Sequence, residues 1–213
     1  MFNVTRTVPA PASLANGRSY RENDVMAELG RIFHNKCYIC EIKEPTSTNV
    51  EHFDSNGERF DWNNLFFACQ RCNSIFKRVG YNDLLDCTEP SIDVVRAVKH
   101  KPPFSPNSEV LIEAQIQNAN STADLIRRTF NEDDTGNKFL TKKFVRKKVF
   151  QIYAEFMFYI NKYIDEKTPQ PMKDEAKIYI EHYLRCEQEY SAFNRWIILD
   201  DPQLMDEFGH LII

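Results

Sequence analysis

No apolar run in this chain approaches the roughly 20 residues that a membrane-spanning helix needs, and the opening stretch from Met1 to Ala15 lacks the charged and then apolar regions of an export signal. Both absences set the expected location in the cytosol. The chain also lacks a positive balance. Its formal net charge is -4, the wrong sign for holding nucleic acid over a wide surface by phosphate contacts alone. There is no low-complexity tract, and 213 residues suffice for one domain, or a small domain with a helical extension, around a sizeable core. Cysteine is scarce at six residues, and in a reducing compartment such residues read as metal ligands before disulfides.

Four of the six stand in two pairs, Cys37-Tyr38-Ile39-Cys40 and Cys69-Gln70-Arg71-Cys72. Two such knuckles place four thiolates around one tetrahedral zinc, a closed site whose metal holds structure and does no chemistry. Paired knuckles usually stand about 15 to 20 residues apart; here residues 41–68 intervene, 28 positions that leave room for another supersecondary unit. Cys87 and Cys186 are left over and are expected to be small buried hydrophobes.

Pro9 and Pro11 make residues 1–17 an extended arm, after which Asn23 or Asp24 caps a helix with Val25, Met26, Leu29, Ile32 and Phe33 on one face. Between the knuckles, Asn49 to Phe53 reads as a strand, Asn56-Gly57 as a turn, and Leu65 to Ala68 as a buried strand. A short helix from Asn73 to about Val79 follows, with Gly80 ending it. Residues 81–90 and the prolines at 102, 103 and 106 are breaks, beyond which the chain turns helical. Ser121 to Arg128 is a short helix, residues 131–137 form a polar turn, and Leu140, Phe144, Val149, Ile152, Phe156 and Ile160 form a long amphipathic stripe that Pro169 and Pro171 end. A third helix runs from about Met172 to Glu189, and the aromatic segment from Phe193 to Leu199 belongs to the core. The expected domains are 1–34, an arm and helix; 35–92, the knuckle region; and 93–213, a helical region.

The string Cys37-x-x-Cys40, Glu51-His52, Trp62-Asn63-Asn64-Leu65, Cys69-x-x-Cys72-Asn73 and Lys77 resembles the zinc-knuckle form of the HNH nucleases, the ββα-metal class. A lone Glu-His pair would read as a surface dipeptide; bracketing by knuckles makes it a candidate site. The implied fold is α+β, a small zinc-stapled HNH finger embedded in a mostly helical chain. Phosphodiester hydrolysis needs a base for water, a cation beside the phosphate, and donors that hold both in line. Imidazole is the side chain suited to the first task near neutral pH, and the resemblance implies His52 as general base with Asn64 hydrogen-bonded to it. Glu51 and Asn73 offer hard oxygen ligands for a catalytic Mg²⁺ or Mn²⁺, beside the structural Zn²⁺ of Cys37, Cys40, Cys69 and Cys72. In a regular strand, however, Glu51 and His52 point to opposite faces, so the strand has to end or bulge there, or one of the two is not catalytic.

Local positive charge supplies the candidate nucleic-acid contacts. Arg71, Lys77 and Arg78 cluster beside the second knuckle, and Lys142, Lys143 and Arg146 belong to a basic run between Lys138 and Lys148 with no acidic residue. Asn73 at a helix start would favour a phosphate. Arg6 to Pro11, Leu84-Leu85-Asp86 and the segment Ser191 to Trp196 are similar to the HNH subunit of Septu-type and retron-associated anti-phage defence systems. That resemblance implies a nucleic-acid substrate and a hetero-oligomer with an ABC or SMC-like ATPase. The competing readings are a stand-alone restriction or homing nuclease and a non-catalytic zinc-dependent binding module.

Overall fold

The computed structural model describes residues 1–73, 77, 80–81, 83–133 and 140–212. It is a mixture of helices and two small antiparallel hairpins. Helix α1, Asn23–Ile32, buries Val25, Leu29 and Ile32, the stripe read from its 3.6-residue period. Its N-cap is Glu22, without a side-chain cap bond. Asp24 instead accepts from the Ser13 hydroxyl and amide, which ties the helix to the arm. The arm is less extended than its prolines suggest, since Ala12–Asn16 makes a 3-10 turn. It is also part of the core: Phe2 and Val4 are buried, and the Val4 amide donates to the Cys87 carbonyl at 2.9 Å.

The first hairpin pairs β1, Thr48–His52, with β2, Leu65–Cys69. Every residue of β2 is buried, as a continuous apolar run of strand length implies. The second hairpin, β3 (Val98–Lys101) with β4 (Leu111–Ala114), follows a one-turn helix α2, Val94–Ala97, capped by the Asp93 side chain. Neither α2 nor this hairpin was expected. Helix α3, Asn120–Asn131, packs on β4. Helix α4, Lys142–Ile164, starts at the Thr141 hydroxyl cap and packs along α5, Gln170–Leu184. Pro169 and Pro171 begin α5 rather than end α4, because proline suits a first helical turn whose N–H groups are unpaired anyway. Two short helices follow, α6 (Ser191–Leu199) and α7 (Pro202–Phe208).

Two apolar clusters hold these elements. The larger contains residues from Met1 to Phe193 and so runs across both expected domain boundaries, at 34/35 and 92/93. The smaller gathers Phe156, Ile160, Ile180, Leu184, Ile198, Leu204 and Phe208 between α4, α5, α6 and α7. The aromatic segment is core as expected, and the Trp196 indole N–H reaches the carbonyls of Val95 and Val98 at 2.9 and 2.8 Å.

A buried ion pair joins the first knuckle to the C-terminal helices. Lys36, wholly buried, donates to Glu41 Oε2 at 2.9 Å, to the Cys186 and Gln188 carbonyls at 2.7 and 2.8 Å, and approaches Ser191 Oγ at 3.3 Å. Burial pushes the Lys36 ammonium down from its usual value, with Glu41 opposing. On Glu41 burial acts upward, but Lys36 and the Met1 ammonium outweigh it and hold the carboxyl well below its usual range. Lys36→Met would leave the buried Glu41 carboxylate with only the Met1 ammonium as a cationic partner and would strand two carbonyls. We expect a loss of about 3–5 kcal/mol in urea unfolding, and a loss under about 1 kcal/mol would mean that water replaces the ammonium.

Candidate metal centre

The β1–β2 register brings the knuckles together. Thr48 lies opposite Cys69 at one end of the hairpin, and the Tyr38 amide donates to the Phe67 carbonyl at 3.1 Å, which lays the first knuckle on β2. The turn between Cys37 and Ile42 closes through the Cys37 amide on the Ile42 carbonyl at 3.0 Å, with Glu41 in the left-handed region at φ 59°. As a result Cys37, Cys40, Cys69 and Cys72 are all buried, with their sulfurs within 4.8 Å of one another. Four thiolates at about 2.3 Å from a tetrahedral ion stand about 3.8 Å apart, and Cys40 Sγ lies 3.8 Å from Cys69 Sγ. The cluster therefore has the donor set and spacing of a structural metal site such as zinc. Burial alone would raise the Cys37 thiol, yet hydrogen bonds from the other three cysteines bring it well below its usual value, while burial and the same bonds push Cys40 and Cys72 well up. The pocket favours negative charge at Cys37 and opposes it at Cys40 and Cys72, an opposition that a bound cation would reverse.

His52 lies opposite Leu65 at the other end of the hairpin, about 13 Å along the strand from the thiolate end. Alternation holds through the dipeptide: Glu51 is 4% exposed and His52 is half-buried. The His52 ring is held by the Arg59 carbonyl, 3.0 Å from Nε2, and by Tyr20, whose ring meets it edge-on at 4.6 Å between centroids. Arg21 and Arg59, both exposed, place their guanidiniums 5.5 and 5.3 Å from the Tyr20 ring centroid. No short sequence motif marks Tyr20, Arg21 or Arg59, and only the fold assembles them.

Asn64 does not bond the imidazole. Its Oδ1 accepts from the Asp54 amide at 2.7 Å and its Nδ2 donates to the Asp54 carbonyl at 3.0 Å, so it clamps the loop that follows His52. Gly57 sits over this amide, and a Cβ there would come within 2.6 Å of Asn64 Nδ2. Asn64 thus positions the histidine through the backbone. Asn63 turns its amide to the Asp61 side chain.

Glu51 faces inward, and that enclosure changes the expected cation site. Its Oε1 accepts from the Tyr38 hydroxyl at 2.9 Å and pairs with the Lys77 ammonium, while Oε2 is buried with no hydrogen-bond partner. Burial, opposed by Lys77, pushes the carboxyl up to about 7. Among the described residues Glu51 joins no cluster of metal-ligating side chains; an ion there has to compete with Lys77. Asn73 is half-buried where the chain leaves the second knuckle. The helix expected from Asn73 to Val79, like Arg78 itself, lies largely outside the described residues. A raised carboxyl adds stability while protonated and loses it as pH climbs from the unfolded value of 4.5 to about 7. Wild-type stability minus that of Glu51→Gln should therefore fall by about 3 kcal/mol over that window, read from urea unfolding at several pH values. A flat difference would place Glu51 in contact with water.

Three of the expected phosphate contacts are spent inside the protein. Lys77 donates to the His52 and Phe53 carbonyls at 3.0 and 2.7 Å besides pairing with Glu51. Arg71, 2% exposed, gives its guanidinium to the carbonyls of Thr129 and Glu132 at the end of α3. Arg146, 6% exposed, binds the Phe130 carbonyl and Asn131. In each case the fold supplies unpaired carbonyls that need a donor. Lys142 is half-buried with Nζ 4.0 Å from Asp133, and Lys143, Lys147 and Lys148 are exposed. Among the described residues no helix is long and apolar enough to cross a membrane. No family model, curated protein or solved structure matches this chain.

Proposed function

We propose that this chain is a metal-dependent HNH endonuclease that hydrolyses nucleic-acid phosphodiester bonds, as the effector nuclease of an anti-phage defence complex with an ATPase subunit. The observation that carries the reading is the placement of His52, an accessible imidazole at the end of a thiolate-stapled hairpin with its ring fixed on two sides. If Nε2 directs its proton at the Arg59 carbonyl, Nδ1 keeps the lone pair that takes a proton from water. Arg21 and Arg59 beside it replace Lys77 and Arg71 as the cations for a neighbouring phosphate. A Mg²⁺ or Mn²⁺ ion would stabilise charge on the phosphoryl and leaving oxygens; Glu51 and Asn73 would hold it on the His52 face only once the Glu51–Lys77 pair opens and β1 bends at the dipeptide.

The enclosure of Glu51 by Lys77 supports a nuclease that is quiet alone. Opening that ion pair is a task for a partner, which fits the ATPase-gated arrangement better than the stand-alone nuclease. The same enclosure favours, as a second reading, a non-catalytic zinc-dependent module. The test is cleavage of DNA and RNA with Mg²⁺ or Mn²⁺ by the chain alone and with its co-purifying ATPase. The nuclease reading expects weak cutting alone, strong cutting in the complex, and none for His52→Ala. Absence of cutting under every condition would leave the binding module.

A further inference from the structure

We propose that His34, Cys186 and Glu187 form a second metal site, taking Zn²⁺ through three protein ligands with a fourth position open to solvent. His34 is far in sequence from the adjacent Cys186 and Glu187, all three stand outside both the knuckles and the His52 end of the hairpin, and the inference does not rest on the nuclease reading. One ligand atom from each lies within 4.8 Å of the other two. Zinc holds a thiolate at about 2.3 Å and an imidazole at about 2.0–2.1 Å, so a tetrahedral ion sets sulfur and nitrogen about 3.6 Å apart. Cys186 Sγ stands 3.4 Å from His34 Nε2. One thiolate, one carboxylate and a neutral imidazole balance a divalent charge, and the mixture of sulfur, nitrogen and oxygen suits zinc rather than magnesium.

The cluster is built on fixed backbone. Lys36 clamps the Cys186 and Gln188 carbonyls on either side of Glu187, and Arg195 Nε donates to the Leu184 carbonyl at 2.8 Å. On the facing side His34 and Asn35 both adopt left-handed backbone, at φ 55° and 54°, a conformation that costs free energy for residues other than glycine. The Asn35 amide, donating to the Gly30 carbonyl at 2.6 Å, holds that bend. The bend turns the chain out of α1 so that His34 meets the loop between α5 and α6. Both His34 and Cys186 line a cleft of about 920 Å³ that also carries Arg6, Arg31 and Arg96. Three protein ligands and an open position beside a cleft are the arrangement of a zinc that binds water or an anionic ligand, unlike the closed four-sulfur site. Cys186 is thus not the small buried hydrophobe its isolation in the sequence suggested.

Native mass spectrometry of the full chain, purified and equilibrated with zinc, tests this. The expected load is about two ions per chain, falling to about one in Cys186→Ser and in Glu187→Gln, with cooperative melting retained in both. Glu187 is exposed, so its replacement leaves the core intact even if Cys186→Ser fails to fold. In the cobalt-substituted protein, Cys186→Ser should also remove part of the thiolate-to-cobalt charge-transfer absorption. One zinc in the wild type would overturn the proposal, as would an undiminished load in Glu187→Gln.

Discussion

Cys72→Ser is expected to abolish zinc retention and cooperative folding together. Structural zinc contributes an apparent binding free energy of about 10–16 kcal/mol in small domains at neutral pH, against a total stability of about 5–15 kcal/mol for an ordinary domain. The four sulfurs join the turn after α1 to the end of β2, and Cys72 Sγ also lies 4.0 Å from the Thr129 hydroxyl of α3. Serine keeps the volume but gives up the thiolate, and the three remaining sulfurs then share a wet, incomplete site. Thermal unfolding by circular dichroism should lose its sharp transition, and metal analysis should find the four-sulfur ion gone. Unchanged metal and melting temperature would mean that the sulfurs merely pack.

On the proposed nuclease reading, His52→Ala should do the opposite, sparing the fold while stopping cleavage. Loss of a general base costs about 10²–10⁴ in rate. The half-buried ring makes one hydrogen bond, to a carbonyl that solvent can reach, so the effect on stability should stay near ±0.5 kcal/mol, the usual range for surface substitutions. The measurement is single-turnover cleavage by the assembled complex, with zinc content and melting temperature as controls. Equal rates for the two proteins would remove His52 from the mechanism. Together the two substitutions separate the ends of one hairpin, the first destroying the support and the second only what it carries.

The parts legible in the sequence were those encoded over a few residues. The knuckles announce themselves by spacing, β2 by an unbroken apolar run, and α1 by its period. The β3–β4 hairpin escaped because its strands are four residues long and interleave Lys99, Lys101 and Glu113 with the buried Val98, His100 and Ile112. Charge misled for a physical reason: Arg71 and Arg146 look like phosphate contacts in one dimension, but where they lie is decided by α3, whose final carbonyls need donors. Glu51 and Lys77 stand 26 positions apart in the chain, and no local pattern says that one cancels the other's charge. Alternation along β1 did foretell that Glu51 and His52 could not share a face.

The Lys36 ammonium reaches carbonyls in the loop before α6 while its carboxylate partner, Glu41, sits one residue past the first knuckle. Whatever disturbs the sulfurs therefore tugs on a segment far from them in sequence. A chelator, an oxidant or a docked companion protein acting at either place would be felt at the other, so this buried amine makes the metal finger and the carboxy-terminal bundle rise and fall as one mechanical body.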